Sequence, residues 1–140
     1  MAIKGEQSLS GVDPQVLVVD DDRVARYILS RFIRSHQCEV DTASSVQEAL
    51  RFLACKVYDL IVIDGHLRDG QGTEIARYVR GGAFPLETPI VALSSDDGRE
   101  HVDSLLAAGA HCFVKKPISA TQVRDLLAEY GLLGGLDERN

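Results

Sequence analysis

A carboxylate, a hydroxyl and an amine each close a short apolar run in this sequence. Asp20 and Asp21 follow VLVV (16–19), Asp64 follows DLIVI, Ser94 ends PIVALS, and Lys116 follows HCFVK. If these runs are strands of one parallel sheet, their carboxyl ends line one edge and the side chains converge there. Three carboxylates within several ångströms cannot all stay ionised cheaply. At 4–5 Å each like pair costs about 3–4 kcal/mol at an effective dielectric near 20. A hard divalent cation relieves that repulsion, and magnesium takes one or two carboxylates together with waters and phosphate oxygens. Lys116 is the second compensating charge. In that setting the Asp64 carboxylate is a nucleophile toward phosphorus. The resulting mixed anhydride needs its charge neutralised by metal and Lys116, and its oxygens bonded by the Ser94 hydroxyl and loop N–H groups. Taken singly, an Asp at a turn is usually a solvated cap, a lone Ser a turn residue and a Lys before Pro a solvated one. Their joint occurrence carries the weight, and Asp22 is read as a helix cap only.

The elements that must position these groups alternate along the chain. Residues 1–14, polar and ending at Pro14, read as a flexible leader. Strands are expected at 16–20, 38–43, 59–64, 89–94 and 111–115, short and β-branched as in a sheet buried on both faces. Helical patterns lie between and after them. Arg23 to Ser35 places Val24, Tyr27, Ile28, Phe32 and Ile33 on one side, after the Asp22 cap. Ser44 or Ser45 caps a helix bearing Val46, Ala49, Leu50 and Leu53. DGHLRDGQG (64–72) reads as a loop, followed by a helix from Thr73 to Arg80 that Gly81 and Gly82 stop. Arg99 to Ala108 is helical, and Ser119 caps a last helix to about Tyr130, with residues 132–140 as a tail. Strand–helix repeats of this length imply a doubly wound α/β fold, a parallel sheet with helices on both faces.

Composition excludes other classes. The 140 residues make one domain that needs no metal or disulfide to hold its core. A net charge of −6 opposes direct binding to nucleic acid. Cys38, Cys55 and Cys112 form no C-x-x-C pair, so neither a disulfide framework nor a zinc site is indicated. No apolar run reaches the ~20 residues of a membrane span and no apolar signal segment begins the chain, so a cytoplasmic location is expected.

Over roughly residues 15–130 the chain resembles the receiver domain of bacterial two-component response regulators, including the chemotaxis type. The matching stretches are VLVVDDD (16–22), DLIVID (59–64) with Gly72 eight residues past the acid, IVALSS (90–95) and AAGAHCFVKKP (107–117). The resemblance implies a flavodoxin-like five-stranded sheet of order 2-1-3-4-5 with five helices. It implies that Asp64 is the phosphoacceptor and that Asp20 and Asp21 hold Mg2+ with Asp64 and the His66 backbone carbonyl. Ser94 matches the hydroxyl residue and Lys116 the lysine. Phe113 matches the aromatic that swings inward when the hydroxyl follows the phosphoryl group, remodelling the surface of the fourth helix, fifth strand and fifth helix (about 98–130). The implied donor is a histidine kinase or histidine phosphotransfer protein, docking on the first-helix face at Val24, Ile28 and Arg31. An unnamed downstream protein is the implied output, and the fourth-helix face is a candidate for a homodimer. The chain would be an enzyme only in catalysing its own phosphorylation and dephosphorylation. The Lys116–Pro117 bond is expected to be cis.

His66 and Asp96 stand at the positions that tune dephosphorylation in that family, and they are read as a polar gate over the site mouth. A soft-metal role for the His66 ring lacks a second histidine at ligand spacing. Arg68 stands where proline is common, which predicts a more mobile loop and a positive charge at the mouth or on a partner-facing rim. Ser94 replaces a commoner Thr and Phe113 a commoner Tyr. Two rival readings exist. VVDDDRV formally carries the D-x-D-x-V pattern of haloacid-dehalogenase-like phosphatases, with Asp20 as nucleophile and Asp22 as general acid. The stretch after Lys116 lacks the further acidic pair such enzymes need. The other rival is a binding module of the same fold that does not use phosphorylation, against which the intact acid–hydroxyl–lysine set argues.

Overall fold

The computed structural model describes residues 12–85, 87–95 and 99–133. In chain order the elements are β1 (Gln15–Val19), α1 (Arg23–Arg34), β2 (Glu39–Ala43), α2 (Val46–Cys55), β3 (Leu60–Asp64), β4 (His66–Leu67), β5 (Gly70–Gln71), α3 (Gly72–Tyr78), a π-helical turn (Val79–Ala83), β6 (Ile90–Ser94), α4 (Arg99–Ala107), β7 (Cys112–Lys115) and α5 (Ala120–Glu129). The main sheet has five parallel strands in the order β2-β1-β3-β6-β7, the expected order, and five α-helices cover it.

The apolar runs form strands because both faces of the sheet are covered. Along β1 and β3, Leu17, Val19, Ile61 and Ile63 enter one core with residues of α2, α3 and α4. Val16, Val18, Leu60 and Val62 enter the other, against Leu29 and Ile33 of α1 and Val123 and Leu127 of α5. Alternate residues therefore serve opposite cores, which is why these strands read as unbroken apolar runs. The caps lie where expected. The Asp22 carboxylate accepts from the Val24 and Ala25 amides, Ser45 from Glu48, and Ser119 from Gln122. Ser44 instead bonds Glu48 through its own amide and hydroxyl.

Two expectations need correction. The face of α1 that packs inward is Leu29, Ser30 and Ile33, with Phe32 partly buried, while Val24, Tyr27 and Ile28 are exposed. Apolar residues occupy more of this helix's circumference than the sheet can cover, so hydrophobic spacing could not say which arc faces in. Residues 66–71 are a hairpin rather than an irregular loop, pairing His66 with Gln71 and Leu67 with Gly70. Leu67 is buried and anchors it. Packing continues at the residue after 131. Leu132 is buried and its amide donates to the Leu127 carbonyl at 2.7 Å. Residues 1–11 and 134–140, most of the expected leader and tail, lie outside the described residues.

Candidate functional site

The order of the sheet reverses between β1 and β3, since the chain leaves β1 for β2 on one side and β3 for β6 on the other. A crevice beyond the carboxyl ends of the strands forms at such a point. Asp20 lies one residue past β1 and Asp64 is the last residue of β3, so both flank it. Asp20, Asp21 and Asp64 each bring a carboxylate oxygen to within 4.8 Å of the others. Lys116 Nζ lies 3.0 Å from Asp20 Oδ2 and 3.1 Å from Asp64 Oδ2. It reaches there because β7 ends one residue earlier and the Lys116 amide donates to the Ser94 carbonyl at 2.7 Å. The Lys116–Pro117 bond is cis.

Backbone contacts fix the acids. Asp20 Oδ1 accepts from the Asp22 amide at 2.9 Å, and Asp64 Oδ1 from the His66 amide at 3.2 Å. The Arg26 guanidinium donates to the Asp20 carbonyl at 2.8 Å and ties the acidic turn to α1. Gly72 lets the turn close behind Asp64. A Cβ at that position would come within 2.8 Å of the Asp64 carbonyl oxygen and 2.7 Å of Ile63. Backbone cannot yield as a flexible side chain can, so only glycine fits.

Charge at the site is unbalanced. Burial, and then the neighbouring Asp20, raise the Asp64 pKa above the usual carboxylate value against the opposing pull of Lys116 and the His66 amide. Burial works against the Lys116 charge, but its contacts with Asp20 and Asp64 prevail and raise its pKa. Asp20 is almost fully buried, and its Oδ2 has no hydrogen-bond partner among the described residues; the Lys116 contact is an ion pair without hydrogen-bond alignment. A buried carboxylate oxygen held by an ion pair alone, in an all-oxygen cluster with surplus negative charge, is what a hard divalent cation fits.

The remaining expected residues spread around this centre. Ser94 is buried at the end of β6, and its hydroxyl donates to the Ser95 carbonyl at 3.0 Å. Phe113 on β7 faces outward, 43% exposed. His66 is exposed on β4, and Arg68 is exposed at the hairpin tip. Asp96, the expected partner of His66 in a gate, lies outside the described residues. Asp22 is occupied in capping α1, which removes the general acid that the phosphatase reading required. Sequence reasoning missed Arg26, whose contact with Asp20 depends on helix orientation. It also missed Asp69, whose partner amide at Val46 lies 23 residues away in the chain.

Comparison with known proteins agrees with this geometry. The family model for the response regulator receiver domain matches residues 16–128. The chain is 31% identical over 116 residues to the autoinducer 2 sensor kinase/phosphatase LuxQ of Vibrio harveyi, an alignment covering 83% of this chain and 13% of that protein. The chain thus corresponds to a small part of that relative. It is 33% identical over 111 residues to the two-component response regulator ORR8 of Oryza sativa subsp. indica, covering 79% of this chain and 92% of that one. The structure of the chemotaxis response regulator CheY4 of Vibrio cholerae superposes with a TM-score of 0.77 at 27% identity, covering 85% of this chain and 99% of that one. The receiver domain of the sensor histidine kinase PA1611 of Pseudomonas aeruginosa PAO1, solved with magnesium in its active-site cleft, shares the fold at a TM-score of 0.77 and 22% identity, covering 86% and 98%.

Proposed function

The chain belongs to the response-regulator receiver family of two-component signalling, and from that premise we propose that Asp64 accepts a phosphoryl group from a phosphohistidine donor. The observation that carries this reading is the meeting of Asp64 with Asp20, Asp21 and Lys116 at the reversal of the sheet. An Asp64 oxygen attacks phosphorus. The oxygen–phosphorus bond forms as the phosphorus–nitrogen bond of the donor breaks, and the departing imidazole nitrogen takes a proton. Asp20, Asp21, Asp64 and the His66 carbonyl would hold Mg2+, which supplies charge compensation for the carboxylates and the transferring oxygens. Lys116 neutralises the charge that remains, and the Ser94 hydroxyl turns from the Ser95 carbonyl to the phosphoryl group.

Two surfaces support the signalling role. A cavity of about 400 Å³ opens beside the acids, lined by Ala25, Ile28, Leu29, Leu93, Pro117 and Ile118 with Asp20, Asp22, Ser95 and Lys116. With the exposed Ile28 in its wall, it suits a histidine kinase or phosphotransfer protein presenting an imidazole. The outward Phe113 stands as the unphosphorylated state requires. Its inward movement, following Ser94, would alter the α4–β7–α5 face for a downstream partner or a second copy. Among the described residues no helix is long and apolar enough to cross a membrane. This reading puts the domain in the cytoplasm, where such donors act.

Intact-mass measurement after incubation with Mg2+ and acetyl phosphate tests it. The expected result is one added phosphoryl mass in the wild type, absent with EDTA and absent in Asp64→Asn. A wild type that gains no mass would favour a module that works without phosphorylation.

A further inference from the structure

The hairpin beside Asp64 is held by a contact that its own sequence does not provide. A two-residue hairpin loop normally uses a turn with positive φ, which matches the twist of its strands. Arg68 and Asp69 form this loop, and neither they nor Gly70 takes a positive φ. The turn therefore lacks the local geometry that stabilises such hairpins, and each strand is only two residues long. Support comes from outside. The Asp69 carboxylate accepts from the Val46 amide at 2.8 Å and the Gln47 amide at 3.1 Å, the first two amides of α2. Those two bonds, together with the positive end of the helix, hold its pKa below the usual carboxylate value. Ser45 serves the Glu48 amide, so Asp69 completes the α2 cap from 23 residues away. Gly70 is packed between Glu74 and Val46, and the Glu74 carboxylate accepts from the Gln71 amide at 3.3 Å.

The first residue of this hairpin is His66. Its amide holds Asp64 Oδ1, and its carbonyl is the proposed backbone ligand. We propose that Asp69 is a positioning residue for the phosphoacceptor site: by clamping the hairpin tip to the start of α2, it sets the His66 backbone against Asp64. The clamp does the stiffening work for which Arg68 is unsuited. It also makes the start of α2 part of the site's support, so that displacement there is passed to His66. The inference rests on the cation reading of the acids given above.

Isothermal titration with Mg2+, amide hydrogen exchange and thermal unfolding on the wild type, Asp69→Ala and Asp69→Asn test it. Residues that orient metal ligands typically account for 10–100-fold in affinity. Asp69→Ala is expected to weaken Mg2+ binding about tenfold, at the lower end of that range, and to speed exchange at His66 and Gln71, while still unfolding cooperatively. Asp69→Asn keeps one acceptor oxygen and should fall between. If Asp69→Ala does not fold, the same affinity comparison is read from Asp69→Asn. A variant that loses thermal stability but binds Mg2+ as the wild type does would overturn the positioning role and leave the site reading intact. A wild type that binds no Mg2+ would overturn both.

Discussion

Two groups of polar side chains in this molecule combine Asp with Lys and end in opposite electrostatic states. At Asp41 on β2 the carboxylate accepts from the Tyr58 hydroxyl at 2.7 Å and pairs with Lys56 at 2.9 Å. Burial works against the Asp41 charge, but the bonds to Tyr58 and Lys56 prevail and lower its pKa. The same arrangement drives the Tyr58 hydroxyl far above its usual range, first by burial and then by Asp41. At the sheet reversal three carboxylates gather and Lys116 pairs with two of them, Asp20 and Asp64, and the Asp64 pKa goes up. One group is balanced and contributes to stability. The other holds surplus negative charge, which a divalent cation would offset under the function proposed above. Functional sites are where a fold tolerates such imbalance.

The contrast can be sharpened by substitution. The largest effect is expected for Lys116→Met, which removes the cation paired with Asp20 and Asp64. Breaking a buried charge pair costs about 3 kcal/mol at neutral pH, measured by urea unfolding without metal. Phosphoryl gain from acetyl phosphate should be lost as well. Tyr58→Phe at the balanced group removes one buried hydrogen bond, and about 1–2 kcal/mol is expected in the same assay. A smaller loss than that of Lys56→Met would break the picture of Tyr58 as the main anchor of Asp41.

Asp64→Asn should act in the other direction. Its folded-state pKa is raised, so the native state keeps a proton to higher pH than the unfolded chain. Metal-free stability attributable to Asp64 therefore falls as pH rises from the unfolded carboxylate value, near 3.9, through the raised one. At pH 7 the variant is expected to melt roughly 4 °C above the metal-free wild type, with the gap closing below about pH 4. Asp41 has the opposite sign. Its lowered pKa gives stability present above the unfolded value and lost as pH falls through the folded one. A wild type more stable than Asp64→Asn at pH 7 without metal would refute the claim of imbalance. The smallest effect is expected for Lys56→Met, below about 1 kcal/mol, because Lys56 and Asp41 are partly exposed and water screens their pair. That loss should shrink further in high salt.

Most of the main sheet and its helix caps were legible in the chain itself, for local reasons. A run such as LIVI between polar residues has few alternatives to a buried strand, and Asp22, Ser45 and Ser119 cap helices through bonds to amides two or three residues on. The site acids were legible because strand ends in a parallel sheet share one edge. The α1 orientation was not, because its apolar residues allow more than one inward arc, and burying Leu29 and Ile33 leaves Val24, Tyr27 and Ile28 exposed. The hairpin at 66–71 was hidden because two-residue strands carry no periodicity and its turn lacks the usual backbone signature.

What the sequence determined by itself was which groups share one edge of the sheet: Asp20, Asp21, Asp64, Ser94 and Lys116 lie at or just past strand ends, and parallel strands end together. What tertiary structure alone decided was how they meet. Lys116 lies near equal distances from Asp20 and Asp64, Arg26 holds the Asp20 carbonyl, and Asp69 reaches the start of α2. Those contacts depend on packing angles and on pairings far apart in the chain. Local residue preferences do not encode distances of that kind, whereas the shared direction of neighbouring strands brings their ends together without further instruction.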